Sequence, residues 1–386
     1  MTIAIVFHSF GPYHVARIGA VARRIGKERC LAIEIAARTT TYAGSPVETD
    51  AFRRQTLISE VEYENAPAAR KVFALLRALQ RFNPDAVALP GWGYPETQAA
   101  LAWCRLRRKT AIVMSESQEK DNPRRRPQEL VKRALLKMAD AALVGGASHA
   151  AYVAKLGVPV DRIFRGYDVV DNDYFASNAD RVRVDAGRWR TVLKVPAAYF
   201  LTSARFVPEK NLLGMMRAYA AYRDRAGTSP WHWVLVGDGP QKDELVRARE
   251  SLALQEFVHF PGFVRYPALP AYYALASAFV LPSTWEPWGL VVNEAMASGL
   301  PVLVSSRCGA AELVRPGENG YTFDPYNEGE LTAAMVTLTT SPKLEQMGES
   351  SRSAIRGYGV ERFASALVSA SEQRRGTRRR ALPARG

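Results

Sequence analysis

The stretch from Leu281 to Val304, LPSTWEPWGLVVNEAMASGLPVLV, constrains the fold of this chain more than any other. An apolar run ends at Leu281, a proline-rich bend carries Glu286, a helix-like run carries Glu294, and Gly299-Leu300-Pro301 leads into a second apolar run. The pattern is strand, loop, helix, turn and strand, the repeating unit of an α/β protein. Gly289 stands where loop becomes helix, so the first unpaired N–H groups of that helix, at Leu290 and beyond, point back across the Glu286 loop and form an anion site. Glu286 and Glu294 flank this terminus. Carboxylates repel a bare phosphate but accept hydrogen bonds from hydroxyls, so the guest that suits both carries a phosphate and sugar hydroxyls, as a nucleotide sugar does.

The same alternation runs along the rest of the chain. A strand from Thr2 to Phe7 leads through a loop with Gly11 and His14 into a helical pattern from Val15 to Ile25. Strand-like runs follow at Cys30 to Ala36, Ala86 to Leu89, Thr110 to Met114 and Ala141 to Val144, with helical runs between them. Such order implies parallel sheets covered on both faces, with loops such as 90–94 and 115–117 opening on the ligand-bearing edge. After the polar run 178–190, a strand at Tyr199 to Ala204 precedes Arg205 and Lys210, which bracket a strand-to-helix turn and bring two cations to one phosphate-sized volume. A further strand ends in Gly237-Asp238-Gly239-Pro240, where glycines allow a tight reversal.

The chain has 386 residues, enough for two domains, and its 47% hydrophobic and 23% charged content is that of an ordinary globular protein. No run approaches the roughly eighteen apolar residues of a membrane span, and the N-terminal segment reads as a buried strand instead of an export signal. Three widely spaced cysteines argue against a disulfide framework and for a reducing cytoplasm. The formal charge of +14 points to a polyanionic partner. Much of it sits in two places. One is the segment 122–139, where Arg124, Arg125, Arg126, Lys132, Arg133 and Lys137 surround an apolar series at Leu130, Ala134, Leu135 and Met138. The other is an arginine-rich tail.

The Leu281–Val304 stretch resembles the E-x7-E motif of retaining glycosyltransferases with the GT-B fold, in particular glycosyltransferase family 4, the glycosyl transferases group 1. Arg205 and Lys210 resemble that family's cation pair. The resemblance implies two Rossmann-like doubly wound domains facing across a cleft, with a C-terminal helix crossing back to the first. The expected bounds are 1–177 for the acceptor domain with 360–373 packed on it, 178–195 for a linker, 196–357 for the donor domain, and 374–386 for a disordered basic tail. It implies transfer of a hexosyl group from a nucleoside diphosphate sugar to an acceptor hydroxyl, with retention, in bacterial-type polysaccharide, glycolipid or glycoconjugate synthesis. No cofactor or metal ion is expected. Arg205 and Lys210 would neutralise the leaving diphosphate, and Glu286 would accept from hydroxyls of the transferred sugar. Glu294 would take the ribose, and Gly237, Gly239, Gly289 and Leu290 would border the donor. Many family members carry a histidine near the position of Ser115 or Glu116; its absence here leaves Gly11, His14 and Glu116 as acceptor-side candidates. The basic segment would either rest on an anionic membrane surface at the cytoplasmic face or be a core-packed helix with a solvated cationic face. A nucleotide-sugar 2-epimerase of the same architecture is the alternative enzyme. A basic nucleic-acid-binding protein is the non-enzymatic one, disfavoured because no aromatic platform interleaves with the charge.

Overall fold

The computed structural model describes residues 1–40, 49–121, 126–227 and 229–380, with side chains to Gln373. Two compact units divide the chain: Met1–Val170 together with the chain from Tyr358 onward, and Asp171–Gly357.

The first unit contains β1 (Ile3–Phe7), α1 (Pro12–Ile25), β2 (Cys30–Ala36), β3 (Arg53–Ile58), α2 (Ala68–Phe82), β4 (Ala86–Pro90), α3 (Pro95–Leu106), β5 (Thr110–Ser115), α4 (Arg126–Leu136), β6 (Ala141–Val144), α5 (Ala147–Lys155) and β7 (Ile163–Arg165). The second unit follows with α6 (Asn172–Val184), α7 (Ala186–Leu193), β8 (Tyr199–Ser203), α8 (Leu212–Arg225), β9 (His232–Val236), α9 (Lys242–Ser251), β10 (Val258–Gly262), α10 (Leu269–Leu275), β11 (Ala278–Leu281), α11 (Leu290–Ala297), β12 (Val302–Ser305), β13 (Gly320–Phe323), α12 (Glu328–Thr339) and α13 (Leu344–Ile355). The last helix, α14 (Val360–Arg380), belongs to the first unit.

Both sheets are parallel, in the orders β3-β2-β1-β4-β5-β6-β7 and β10-β9-β8-β11-β12-β13. Strands such as β1, IAIVF, are buried along their whole length because helices cover both faces. Ala4 and Val6 face a core shared with Leu75, Leu79, Leu101 and Val153 from α2, α3 and α5. Ile3, Ile5 and Phe7 face the opposite core, filled by Ile18 and Val21 of α1 and by Phe363 and Leu367 of α14. In each sheet the order reverses once, between β1 and β4 and between β8 and β11.

Several expectations are corrected. Residues 178–195 are no linker: they fall in α6 and α7, whose N-termini are capped by the Asp171 and Asp185 side chains. Phe175, Ala179 and Val182 of α6 are buried at helical spacing, so the polar composition of this run hides an amphipathic helix. The basic tail is helical to Arg380, and only 381–386 lie outside the described residues. β3 and β13 were not expected. RRQTLI is a half-exposed edge strand with little apolar pattern, and GYTF is only four residues long. In α4 the buried residue is Leu136, whereas Leu130 is 64% and Val131 59% exposed. Lys132 is not on a free cationic face, since it pairs with Glu129 at 2.8 Å and bonds the Tyr152 hydroxyl. Arg124 and Arg125 lie outside the described residues. Among the described residues no helix is long and apolar enough to cross a membrane.

Candidate functional site

Ligands of open α/β sheets bind beyond the carboxyl ends of the strands, where the strand order reverses. In the second unit that position lies between the loops after β8 and β11. The loops there are laced by backbone hydrogen bonds. Phe206 N–H donates to Asp238 O at 2.9 Å, Thr284 N–H to Glu209 O at 2.9 Å, and Gly309 N–H to Glu286 O at 3.2 Å. Gly237 and Gly239 permit this lacing. Their φ angles are 141° and 156°, and a Cβ on Gly237 would stand 1.8 Å from the Ala204 carbonyl oxygen. The two glycines thus let the β9 loop close on the segment that presents Arg205.

Lys210 and Glu286 are brought into direct contact as an ion pair, and Ser283 Oγ lies 3.4 Å from the same carboxylate oxygen. Arg205 is exposed on the loop after β8. Gly289 caps α11 with φ 99°, a left-handed value. A Cβ there would meet Leu281 at 2.9 Å and Glu286 Cγ at 3.2 Å, so a side chain would displace the acid. Leu290 opens the helix, and no acidic residue occupies its first turn, which leaves the N–H end favourable to an anion. The geometry therefore offers an anion a helix N-terminus and a lysine, the lysine now paired with Glu286.

Glu294 already has a partner within the chain. It is fully buried on α11, and its Oε2 accepts a 2.6 Å hydrogen bond from the Tyr273 hydroxyl of α10. Tyr266 and Tyr174 stack with ring centroids 5.2 Å apart. Burial raises the pKa of both phenols, and the Glu294 charge adds to that rise.

Of the acceptor-side candidates, His14 is committed to the fold. Its Nδ1 accepts from Gly11 N–H at 3.0 Å at the start of α1, and its ring lies 4.2 Å from that of Phe7. Burial and the Arg17 cation push its pKa down to about 3. The same geometry recurs at α5, where His149 Nδ1 accepts from Gly146 N–H at 3.1 Å. Gly11 has an ordinary φ of −112°, and a Cβ there would meet nothing nearer than 3.8 Å, so the chain's own packing does not require glycine. Glu116 is half-buried in the loop after β5. Arg126, Arg133 and Lys137 are exposed on or just beyond α4. Sequence reasoning missed Tyr273, whose only signal was its place in an apolar helix preceding β11.

Residues 185–354 match the family model described as glycosyl transferases group 1. A glycogen synthase of Mycobacterium tuberculosis is 32% identical over 167 residues, which cover 42% of this chain and 40% of that enzyme. The lipopolysaccharide core biosynthesis glycosyltransferase LpsD of Rhizobium meliloti is 28% identical over 172 residues, 44% of this chain and 48% of LpsD. The chain therefore spans less than half the length of these curated relatives. Among solved structures, Anabaena HepE in complex with UDP superposes with a TM-score of 0.72 at 18% identity, over 96% of this chain and 99% of that one. Sucrose-phosphate synthase from Thermosynechococcus elongatus gives 0.74 at 20% identity, over 97% and 99%. The chain thus has the α/β GT-B fold of two Rossmann-like parallel-sheet domains, and its segment 185–354 is similar in sequence to glycosyl transferases group 1.

Proposed function

We propose that the protein is a retaining glycosyltransferase of family 4 that moves a hexosyl group from a nucleoside diphosphate sugar to an acceptor hydroxyl. The observation that carries this reading is the Lys210–Glu286 ion pair beside the Gly289 helix terminus at the strand-order reversal. The diphosphate takes Lys210 and Arg205, and the N–H groups of α11 share its charge as the sugar bond breaks. Glu286, released from Lys210, orients the hydroxyls of the transferred sugar. Glu294 takes the ribose as the Tyr273 hydroxyl gives way, with Gly237 and Gly239 shaping the neighbouring loop. A double displacement needs a nucleophile beside the anomeric carbon. None is assigned here, and same-face attack assisted by the departing phosphate gives retention without one. Cations of the chain do the work of a divalent ion, so transfer continues in EDTA. The relatives and the UDP-bound neighbour favour a nucleotide-sugar donor and a saccharide or glycolipid acceptor.

The test is a thermal-unfolding screen with UDP-, GDP- and ADP-sugars, since a ligand of the folded state raises its stability. The donor that protects is then used for transfer, and the anomeric configuration of the product is read by NMR. If no donor protects, or protection is equal in Lys210→Ala, the reading falls; an inverted product refutes retention alone. Exposed Leu130 and Val131, with Arg126, Arg133 and Lys137 nearby, fit an anionic membrane surface. Flotation with phosphatidylglycerol vesicles but not with neutral ones is the expected outcome, and equal behaviour with both would exclude it.

A further inference from the structure

The first sheet has its own strand-order reversal, between β1 and β4. A polar and aromatic cluster stands at the carboxyl ends of those strands. His8 directly follows β1, Tyr94 precedes α3, Glu96 and Thr97 lie in the first turn of α3, and Tyr63 and Lys71 arrive from the segment after β3. The His8 ring centroid is 4.5 Å from that of Tyr63 and 4.2 Å from that of Tyr94. The Tyr63 hydroxyl donates to Glu96 Oε1 at 2.6 Å.

Three polar atoms of this cluster are not used by the fold. Glu96 is 1% exposed and Thr97 likewise, yet Glu96 Oε2, Thr97 Oγ1 and His8 Nε2 are buried with no hydrogen-bond partner among the described residues. Buried polar groups are nearly always paired, because leaving one unpaired forfeits its solvation. Burial holds the His8 pKa down at about 4, so the imidazole is neutral at pH 7. A nearby cation is already engaged: Lys71 Nζ sits 4.1 Å from the Tyr63 ring centroid and bonds the Tyr63 carbonyl at 3.3 Å. Tyr94 is 42% exposed.

These groups select a ligand class. A carboxylate, a hydroxyl and a neutral imidazole pair with hydroxyl groups, while the carboxylate opposes a phosphate. An exposed phenol ring offers a face to the C–H side of a sugar ring. We propose that His8, Tyr63, Tyr94, Glu96 and Thr97 form a binding site for an uncharged pyranoside ring at the strand-order reversal of the first unit. Tyr94 stacks on the ring, Glu96 Oε2 and His8 Nε2 take two of its hydroxyls, and Tyr63 positions Glu96. Naming that ring as the acceptor rests on the glycosyltransferase reading; the binding itself does not.

Saturation-transfer NMR on the full chain, without donor, tests it. The probes are methyl α-D-glucopyranoside, methyl β-D-galactopyranoside and methyl α-D-mannopyranoside, with glucose 6-phosphate as the charged counterpart. At least one uncharged glycoside should receive saturation on its ring protons, more strongly than the phosphate. Tyr94→Ala and Glu96→Gln should each weaken it by about tenfold. Tyr94 is partly exposed, so its removal keeps the core, and Tyr63→Phe, which frees Glu96 without removing it, should weaken binding less than Glu96→Gln. No transfer to any uncharged glycoside, preference for the phosphate, or transfer unchanged in Tyr94→Ala would overturn the proposal. Nucleotide protection of the wild type, measured in parallel, reports on the donor reading separately, so the failure of one is not the failure of the other.

Discussion

Replacing Glu286 by glutamine removes the charge that holds Lys210 and keeps a side chain of similar length. The two side chains are in direct contact and only 18% and 13% exposed, so the pair lies between two measured regimes. Exposed pairs contribute about 0.2–1 kcal/mol. Breaking an enclosed pair costs about 3–5 kcal/mol. An intermediate figure of about 1–2 kcal/mol is what an incoming diphosphate must overcome to take Lys210 from its partner. With glutamine in place that competition is gone, and the nucleoside diphosphate should bind about 5- to 30-fold tighter, at about 1.4 kcal/mol per factor of ten. Transfer should move the other way. A neutral amide accepts from the sugar hydroxyls more weakly than a carboxylate, and turnover should fall by about a hundredfold, the usual cost of one lost charge-stabilising contact. Calorimetric titration with the protecting nucleoside diphosphate gives the first quantity and initial transfer rates give the second. If diphosphate binding weakens by the same factor as turnover, the pair is not a competitor of phosphate and the assignment of Glu286 is wrong.

Two further outcomes follow from the geometry. Gly237→Ala forces a Cβ to within 1.8 Å of a carbonyl oxygen at a φ of 141°, and should destabilise the second unit by about 3 kcal/mol or more, read as a fall in its unfolding midpoint; a loss under about 1 kcal/mol would show that the two loops separate freely. His8 and His14 have pKa values lowered to about 4 and about 3 from an unfolded value near 6.5. The unfolded chain therefore binds protons first, and stability present above pH 6.5 is lost as pH falls, by about 1.4 kcal/mol per pH unit per histidine across that window. His14→Gln keeps an acceptor for Gly11 N–H but does not titrate, so it should reduce the slope of denaturation midpoint against pH between 7 and 5; an unchanged slope would exclude His14 as a source.

The loop and helix geometry at the strand-order reversal of the second unit was legible because its parts are backbone devices with strong local signatures. A glycine at the start of α11, a Gly-Asp-Gly turn and a lysine ahead of a helix announce themselves in sequence. What was not legible is pairing at a distance. Nothing in the order of residues tells that Lys210 rests on Glu286, that Tyr273 occupies Glu294, or that Tyr63 reaches Glu96 across 33 positions. The helices α6 and α7 were missed for a related reason. Their surfaces are polar, and the buried residues of α6 depend on packing against α10 and α11, elements about a hundred residues later. His14 has a structural part that its place in the sequence does not announce: its Nδ1 accepts from the Gly11 N–H at the start of α1, the part glutamate or glutamine plays in a capping box.

The path of the chain sets an order of manufacture. Phe363, Ala364, Leu367 and Ala370 of α14 fill the core on one face of the first sheet, yet they are synthesised after the whole of the second unit. During translation the N-terminal sheet must wait with that face incompletely covered, while residues 171–357 emerge as one continuous piece with a core of their own. The second unit can therefore finish first although it begins later. A nascent chain stalled near residue 357 should expose apolar surface from Ile3, Ile5 and Ile112, which the closing helix then covers.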